Sequence, residues 1–399
     1  NTQRQTMNKT TWQRVKLGEV AESIVSGGTP LTSKSEYYNG AIPWLNTKEV
    51  KNNRIYFTEK TITEFGLANS SAKWIEKDSV IVAMYGATAG KVAINKIPLT
   101  TNQACCNITL DANKADYNFI YYTLLNSFEK LEQMTSGAAQ QNLNVGLISN
   151  FSFSLPPLET QRKIAEILSS FDDKIDLLHR QNKTLESLSL TLFHHTFIEN
   201  PKRNAWEEKP LSEIAEIKIG RTPPRKEKQW FSTDSKNTKW ISIKDMEEKI
   251  FIFNTSEFLT AEAINKFKIP IIPPKTIILS FKMTLGRVGI TTENMLSNEA
   301  IAHFNLYDKY EHFTEYLYLF LKMFKYETLG STSSIVTAIN TSLIKNIKIA
   351  IPDKATLNDF QIQAKGFFDK IYNNVKQIQN LESLRDIMLP KLLSGEMEV

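Results

Sequence analysis

The chain repeats itself at the scale of a whole domain. Trp12-Gln-Arg-Val-Lys-Leu17-Gly-Glu-Val-Ala-Glu22 returns as Trp206-Glu-Glu-Lys-Pro-Leu211-Ser-Glu-Ile-Ala-Glu216, and Gly28-Thr29-Pro30 returns as Arg221-Thr222-Pro223. Trp44 and Lys48 answer Trp240 and Lys244, and Gly90-Lys91-Val92-Ala93-Ile94 answers Gly286-Arg287-Val288-Gly289-Ile290. Asn102-Gln103-Ala104 pairs with Asn298-Glu299-Ala300, and Asp173-Lys174-Ile175 with Asp369-Lys370-Ile371. From Trp44 onward the offset is constant: 240 against 44 and 369 against 173 both give 196 residues. Solenoid repeats run roughly 20–50 residues, so this period describes one duplicated unit of domain size with a tail.

Each copy divides into two parts. Residues 12–157 and 201–352 mix short β-rich runs with turn signals, and 79–85 and 275–281 have the pattern of buried strands ending in glycine-containing turns. Helical stretches at 117–134 and 312–324 interrupt them. The expectation is an α+β domain built around a strongly bent sheet, preceded in the first copy by a tail at 1–11. Residues 158–200 and 353–399 read differently. Positions 158–197 contain neither glycine nor proline, and apolar residues recur in 4-then-3 steps through Ile164, Leu168, Phe171, Ile175, Leu178, Leu185 and Leu192. The second series is Phe360, Ala364, Phe367, Ile371, Asn374, Ile378, Leu381, Arg385, Met388 and Leu392. This is the heptad seam of a coiled coil, in which Asn182 and Asn374 are candidates for fixing register. Forty such residues at about 1.5 Å each span roughly 60 Å.

The architecture expected is therefore two similar α+β domains with bent sheets, separated by two long antiparallel helices and related by a pseudo-two-fold repeat. The connection from Phe197 to Trp206 can span no more than roughly 32 Å at about 3.6 Å per residue. By the repeat, Leu393 must lie within the same limit of Trp12.

Composition narrows the class without deciding it. Hydrophobic residues make up 41% and charged residues 23% of the 399, an ordinary globular balance. The most apolar window, 269–281, holds three prolines and a lysine, which excludes a membrane helix there. The first ten residues are polar and lack the apolar region of a secretory signal, and Met7 is a candidate natural start. The only cysteines are the neighbours Cys105 and Cys106, which suit neither a disulfide framework nor a four-ligand zinc site. A cytoplasmic location is expected. The net charge of +5 permits phosphate binding without requiring it.

Two domains that open with Trp-x-x-x-x-Leu-x-Glu-[Val/Ile]-Ala-Glu and close on a proline before a long helix resemble the specificity subunits of Type I restriction-modification enzymes. Leu155-Pro-Pro-Leu158-Glu159-x-Gln161-Arg162-Lys163-Ile164-Ala165 is similar to that family's entry into its first conserved helix; Ile351-Pro352-Asp353-Lys354 lacks the second proline and the Glu-x-Gln-Arg element. The resemblance covers about residues 12–395. It implies double-stranded DNA as ligand, two methyltransferase subunits as partners, and restriction translocase subunits that join them. It also implies adenine N6 as the modified position, with S-adenosylmethionine held by the partners and no cofactor on this chain. Two differing heads would read a bipartite, asymmetric target with an unread spacer.

The chain itself carries no sign of catalysis. It has no Gly-x-x-x-x-Gly-Lys-[Ser/Thr], no Gly-x-Gly-x-x-Gly and no His-Glu-x-x-His, and its Pro-Pro pairs do not fit the Asn/Asp-Pro-Pro-aromatic motif of adenine methyltransferases. His194-His195 lacks a nearby Cys or His to complete a metal site. A self-sufficient methyltransferase and a two-headed coiled-coil adaptor are the competing readings. Intrinsic methyl transfer would mark the first, and absence of DNA binding with partners present would mark the second.

Base edges are read by Arg, Lys, Asn and Gln, and phosphates by cations, hydroxyls and backbone N–H groups. Such residues fall at matching places in the copies. Thr29 and Lys34 face Arg221, Thr222, Arg225 and Lys226; Asn46 and Lys48 face Lys244. Lys91 faces Arg287, each in a glycine turn. Gln140, Gln141 and Asn142, suited to adenine edges, face Ser331 and Thr332.

Overall fold

The computed structural model describes residues 12–131, 142–247, 249–329 and 339–399. The chain forms two compact units: Asn1–Ile175 with Asn380–Val399, and Asp176–Gln379. Each long helix, Leu158–Phe193 and Lys354–Leu393, contributes a segment to both.

In the first unit a five-stranded sheet runs in the order Ala21–Ser26, Cys105–Leu110, Val80–Ala83, Val92–Asn95, Asn53–Ile55. In the second the same order is built from Ala215–Ile219, Ile301–Leu306, Ile277–Ser280, Val288–Thr291 and Phe251–Ile252. The last pair in each is parallel and the rest antiparallel. Val80–Ala83 and Ile277–Ser280 are buried along their whole length and apolar but for Ser280, because both faces are covered. Val80 and Val82 face the helical side of the core, while Ile81 and Ala83 face a second cluster with Leu45, Val50 and Ile55. Ile277 and Leu279 against Ile278 repeat this division.

A smaller sheet lies beside each larger one. In the first unit the strand Tyr38–Leu45 pairs with Lys60–Ile62 through a register shift between Tyr38 and Ile42, and with Thr100–Thr101. A bulge of this kind bends a strand. The second unit breaks the corresponding strand in two, Phe231–Ser232 and Thr238–Ile241, both pairing with Glu257–Leu259. The first expected helix is Tyr117–Leu125, with helix resuming at 128–131 and 132–134 outside the described residues, and the second is Thr314–Met323. The first is started by Asp116, whose side chain accepts the Phe119 N–H at 3.0 Å.

The helical seam forms within each unit, and it runs antiparallel there. In the first unit Leu389 and Leu392 join Ile164, Ala165 and Leu168 in one core, and Asp172 meets Arg385. In the second, Asn374 is buried and donates to Asn182 Oδ1 and to Gln181 Oε1, both at 2.8 Å. The polar pair expected to fix register is thus in contact. Phe368 is buried where Phe367 was expected to be. Burial runs in steps of 4, 4 and 3 through Phe360, Ala364, Phe368 and Ile371, a local departure from the 4-then-3 seam that turns the neighbouring residue inward.

The proline entry to the first helix has a structural reason. Buried Gln161 donates to Pro156 O at 2.9 Å and Lys114 O at 3.1 Å and accepts the Asp116 N–H at 2.9 Å. Its counterpart is Leu357, buried among apolar neighbours, so the second copy does without the motif. The end of the second helix meets the start of the first head: a Cβ on Gly395 would lie 3.3 Å from the Trp12 ring, well inside the reach set by the repeat.

Candidate nucleic-acid interface

Two turns in each head meet at the end of the small sheet. The first contains Gly28 and Thr29, or Arg221 and Thr222. Gly28 N–H donates to Thr101 O and Arg221 N–H to Ser297 O, both at 2.9 Å. The turn lies so close to the next strand that a Cβ on Gly27 would come within 2.1 Å of Thr101 Oγ1, and one on Gly220 within 2.1 Å of Ser297 O. An indole holds it from beneath: Trp44 Nε1 donates to Gly28 O at 3.0 Å and Trp240 Nε1 to Arg221 O at 3.2 Å. That is why a tryptophan recurs at this place in both copies.

Opposite the threonine sits a residue not included among the sequence candidates. The Thr29 hydroxyl donates to Gln103 Oε1, and the Thr222 hydroxyl to Glu299. Gln103 and Glu299 are exposed and occupy the same place in the repeat, which was the signal available for finding them. Burial pushes the Glu299 pKa up, but the Thr222 bond, its own backbone N–H, Lys282 and Arg225 outweigh it and hold it below the ordinary glutamate value.

The second turn begins at Asn46 or Ser242. Asn46 Oδ1 accepts the Lys48 N–H at 3.2 Å and Glu49 returns a bond to Asn46 N at 2.9 Å; Ser242 and Asp245 form the equivalent box. The glycine turn behind it is tied in differently by each head. Thr88 Oγ1 donates to Thr47 O at 2.8 Å, whereas Arg287 Nη1 donates to the matching Ile243 O at 2.8 Å. The turns are continuous, since Asn102 N–H reaches Leu45 O at 2.9 Å and Asn298 N–H reaches Ile241 O at 3.3 Å.

The turns therefore bring Thr29, Asn46, Lys48 and Lys91 together in the first head, and Arg221, Thr222, Lys244 and Arg287 in the second. Thr29, Asn46 and Lys91 are half-buried there, and Lys34, Lys48 and Asn142 are exposed. Lys48 is paired with Glu59 at 2.5 Å. In the second head Arg225 bonds Glu257 at 2.6 Å and stacks over Phe231 and Trp240, at 4.5 and 4.7 Å from the ring centroids. Arg221 Nη1 donates to Phe267 O at 3.0 Å, Arg287 also meets Glu247 at 3.2 Å, and Lys226 and Lys244 are exposed. Gln140, Gln141, Ser331 and Thr332 lie outside the described residues. His194 and His195 both point Nδ1 at Glu199, at 3.4 and 3.3 Å. No group of three metal-ligating side chains occurs among the described residues.

Two α+β heads that present matched polar turns, carried with paired long helices, define a two-headed nucleic-acid reader. The pattern of the Type I restriction modification DNA specificity domain matches residues 9–187 and again 204–383, and the chain belongs to that family of specificity subunits. It is 29% identical to the MjaIX specificity subunit of Methanocaldococcus jannaschii, over 97% of this chain and 94% of that one. It is 24% identical to the HindI specificity subunit of Haemophilus influenzae, over 96% and 99%. Its fold matches the crystal structure of a Type I S subunit from M. genitalium with a TM-score of 0.57 at 18% identity, covering 96% of each chain.

Proposed function

We propose that each head reads one half of a bipartite, asymmetric double-stranded DNA site. The chain would present that site to two methyltransferase subunits and, through them, to restriction translocase subunits. The observation that supports this most is the turn cluster built twice on one backbone plan with different side chains: Gln103 against Glu299, Gly28 against Arg221, Lys91 against Arg287. A shared frame with exchanged reading groups suits two unlike half-sites. The working domain boundaries are 12–157 and 201–352 for the heads, with 158–200 and 353–399 as the spacer helices. Thr29, Lys34, Asn46, Lys48, Lys91, Arg221, Thr222, Arg225, Lys226, Lys244 and Arg287 form the DNA side, joined by Gln103 and Glu299. Asn142 and the loop residues outside the described part complete it.

In this reading the chemistry belongs to the partners, which hold S-adenosylmethionine, and this chain neither transfers a methyl group nor cleaves. No described helix is long and apolar enough to cross a membrane, which is compatible with work on DNA in the cytoplasm. The test is to assemble the chain with methyltransferase partners and sequence the modified bases in the DNA they are given. Two short conserved words separated by an unread gap of fixed length are expected. Methylation without a two-part site, or methyl incorporation by this chain alone, would contradict the assignment.

A further inference from the structure

A polar network lies at the foot of the first head. Tyr122, on the Tyr117–Leu125 helix, donates to Asp172 Oδ2 at 2.6 Å, and Arg385 Nη1 donates to Asp172 Oδ1 at 2.7 Å. Arg54, from the edge strand Asn53–Ile55, pairs with Asp173 and reaches Ser169 O at 3.4 Å. The Arg54 side chain is only 5% exposed and that of Asp172 only 11%. Burial, with Asp172 beside it, pushes the Tyr122 hydroxyl well above its ordinary pKa, so it stays a donor. The network joins two elements of the head to both long helices, all inside the first unit.

The second unit answers the same junction with less buried charge: Tyr318 donates to Glu186 Oε1 at 3.3 Å, and Glu186 meets Lys322 at 3.2 Å, with side chains 27% and 36% exposed. Asp172 is matched by Phe368, Arg385 by Ser189 and Arg54 by Ile250, while Tyr318 keeps the place of Tyr122. Phe368 packs its ring 5.3 Å from Tyr318, and Ser189 bonds its own helix at Leu185 O, 2.8 Å away. The fold therefore stands without the Asp172–Arg385 pair, and the carboxylate it keeps ties the head to one long helix only. Replacing buried ion pairs by apolar groups of similar volume is often neutral or stabilising. What the Asp172 cluster adds is direction: a buried carboxylate that accepts from Tyr122 on the head and from Arg385 on the second helix tolerates little rotation, whereas packed rings slide.

We propose that Arg54, Tyr122, Asp172 and Arg385 are positioning residues that set the angle of the first head on its helices, and thereby the spacer length the protein accepts. This rests on the reading of the heads as half-site readers. Adding one base pair to a spacer moves a half-site by about 3.4 Å and turns it by about 35°. A head tied to both helices by buried directional bonds cannot follow that movement; a head held by ring packing and one half-buried carboxylate follows part of it.

The assay uses the chain assembled with its methyltransferase partners, on duplexes carrying the native spacer or one changed by a single base pair. The double variant Asp172→Phe, Arg385→Ser imports the second unit's solution. It should methylate the native site within about twofold of wild type and raise the share of methylation at the altered spacers about tenfold, with the half-site bases unchanged. If the double variant does not assemble, Arg385→Lys keeps the charge but loses the planar guanidinium that bonds Asp172 through Nη1 and Asp386 through Nε and Nη2, and about a threefold rise is expected from it. An assembled variant of either kind with the wild-type spacer ratio overturns the proposal. Failure of the wild-type assembly to need a two-part site would instead overturn the reading beneath it.

Discussion

Beneath the second head, Phe197 lies 4.6 Å from Tyr316, 4.8 Å from Phe360 and 6.0 Å from Trp206, with Phe193 against the same rings. At the matched places beneath the first head stand Leu393, Ile120, Ile164, Trp12 and Leu389. One unit fills this junction with aromatic rings, and the other with aliphatic side chains supplemented by a buried ionic network. Both arrive at the same strand order in the five-stranded sheet. The comparison separates what the backbone plan requires, an apolar volume at each seam position, from what each copy is free to vary.

The largest test of that comparison is truncation at one matched pair. Phe193→Ala should destabilise the second unit by roughly 3–5 kcal/mol, whereas Leu389→Ala should cost the first unit about 2 kcal/mol, the low end for leucine. Urea unfolding of the two variants measures this. Equal losses would mean that the rings add nothing beyond filling space.

A second contrast is exposed by acid. His303 is buried against Ser297, at 2.6 Å, and its place in the first unit is taken by Asn107, which bonds Thr101 at 2.8 Å. Burial, followed by Lys218, lowers the His303 pKa to about 4. The unfolded chain, with a histidine pKa near 6.5, binds the proton first, so this stability is present above about pH 6.5 and is lost as pH falls toward 4. The full loss is roughly 3 kcal/mol at about 1.36 kcal/mol per pH unit. His303→Asn should flatten the acid melting curve of the second unit and leave the first unchanged. A curve that stays as steep would show that other groups carry the acid sensitivity.

The smallest expected effect lies at the DNA edge. The cationic turn of the second head has no equal in the first, so Arg225→Ala should lower the salt slope of DNA binding by about one, as for a lost phosphate contact. Lys34→Ala should change it less. Unchanged affinity and slope in the Arg225 variant would remove this residue from the interface.

Much of this was legible because the chain states it twice. The seam, the buried strands and the glycine turns each follow from a local pattern that recurs 196 residues on, as 44 against 240, and the Asn182–Asn374 contact follows from the two polar breaks in that seam. The ionic network was not legible. Asp172 and Arg385 are far apart in sequence, and the other copy has Phe368 and Ser189 in their places, so the repeat carries no sign of them. Gln103 and Glu299 recurred visibly, but only the fold brings them against Thr29 and Thr222. Several cations expected to face DNA also hold internal partners: Arg225 with Glu257, Lys48 with Glu59, Arg287 with Glu247. Composition cannot reveal such pairings.

The central claim is that two heads of one design read separately. It is tested most directly by replacing residues 201–352 with the corresponding head of another specificity subunit, leaving both helices in place. Modified-base sequencing of DNA treated with the assembled complex should then show one half of the target changed, the other half kept, and the spacer length unaltered. A change in both halves would contradict the account.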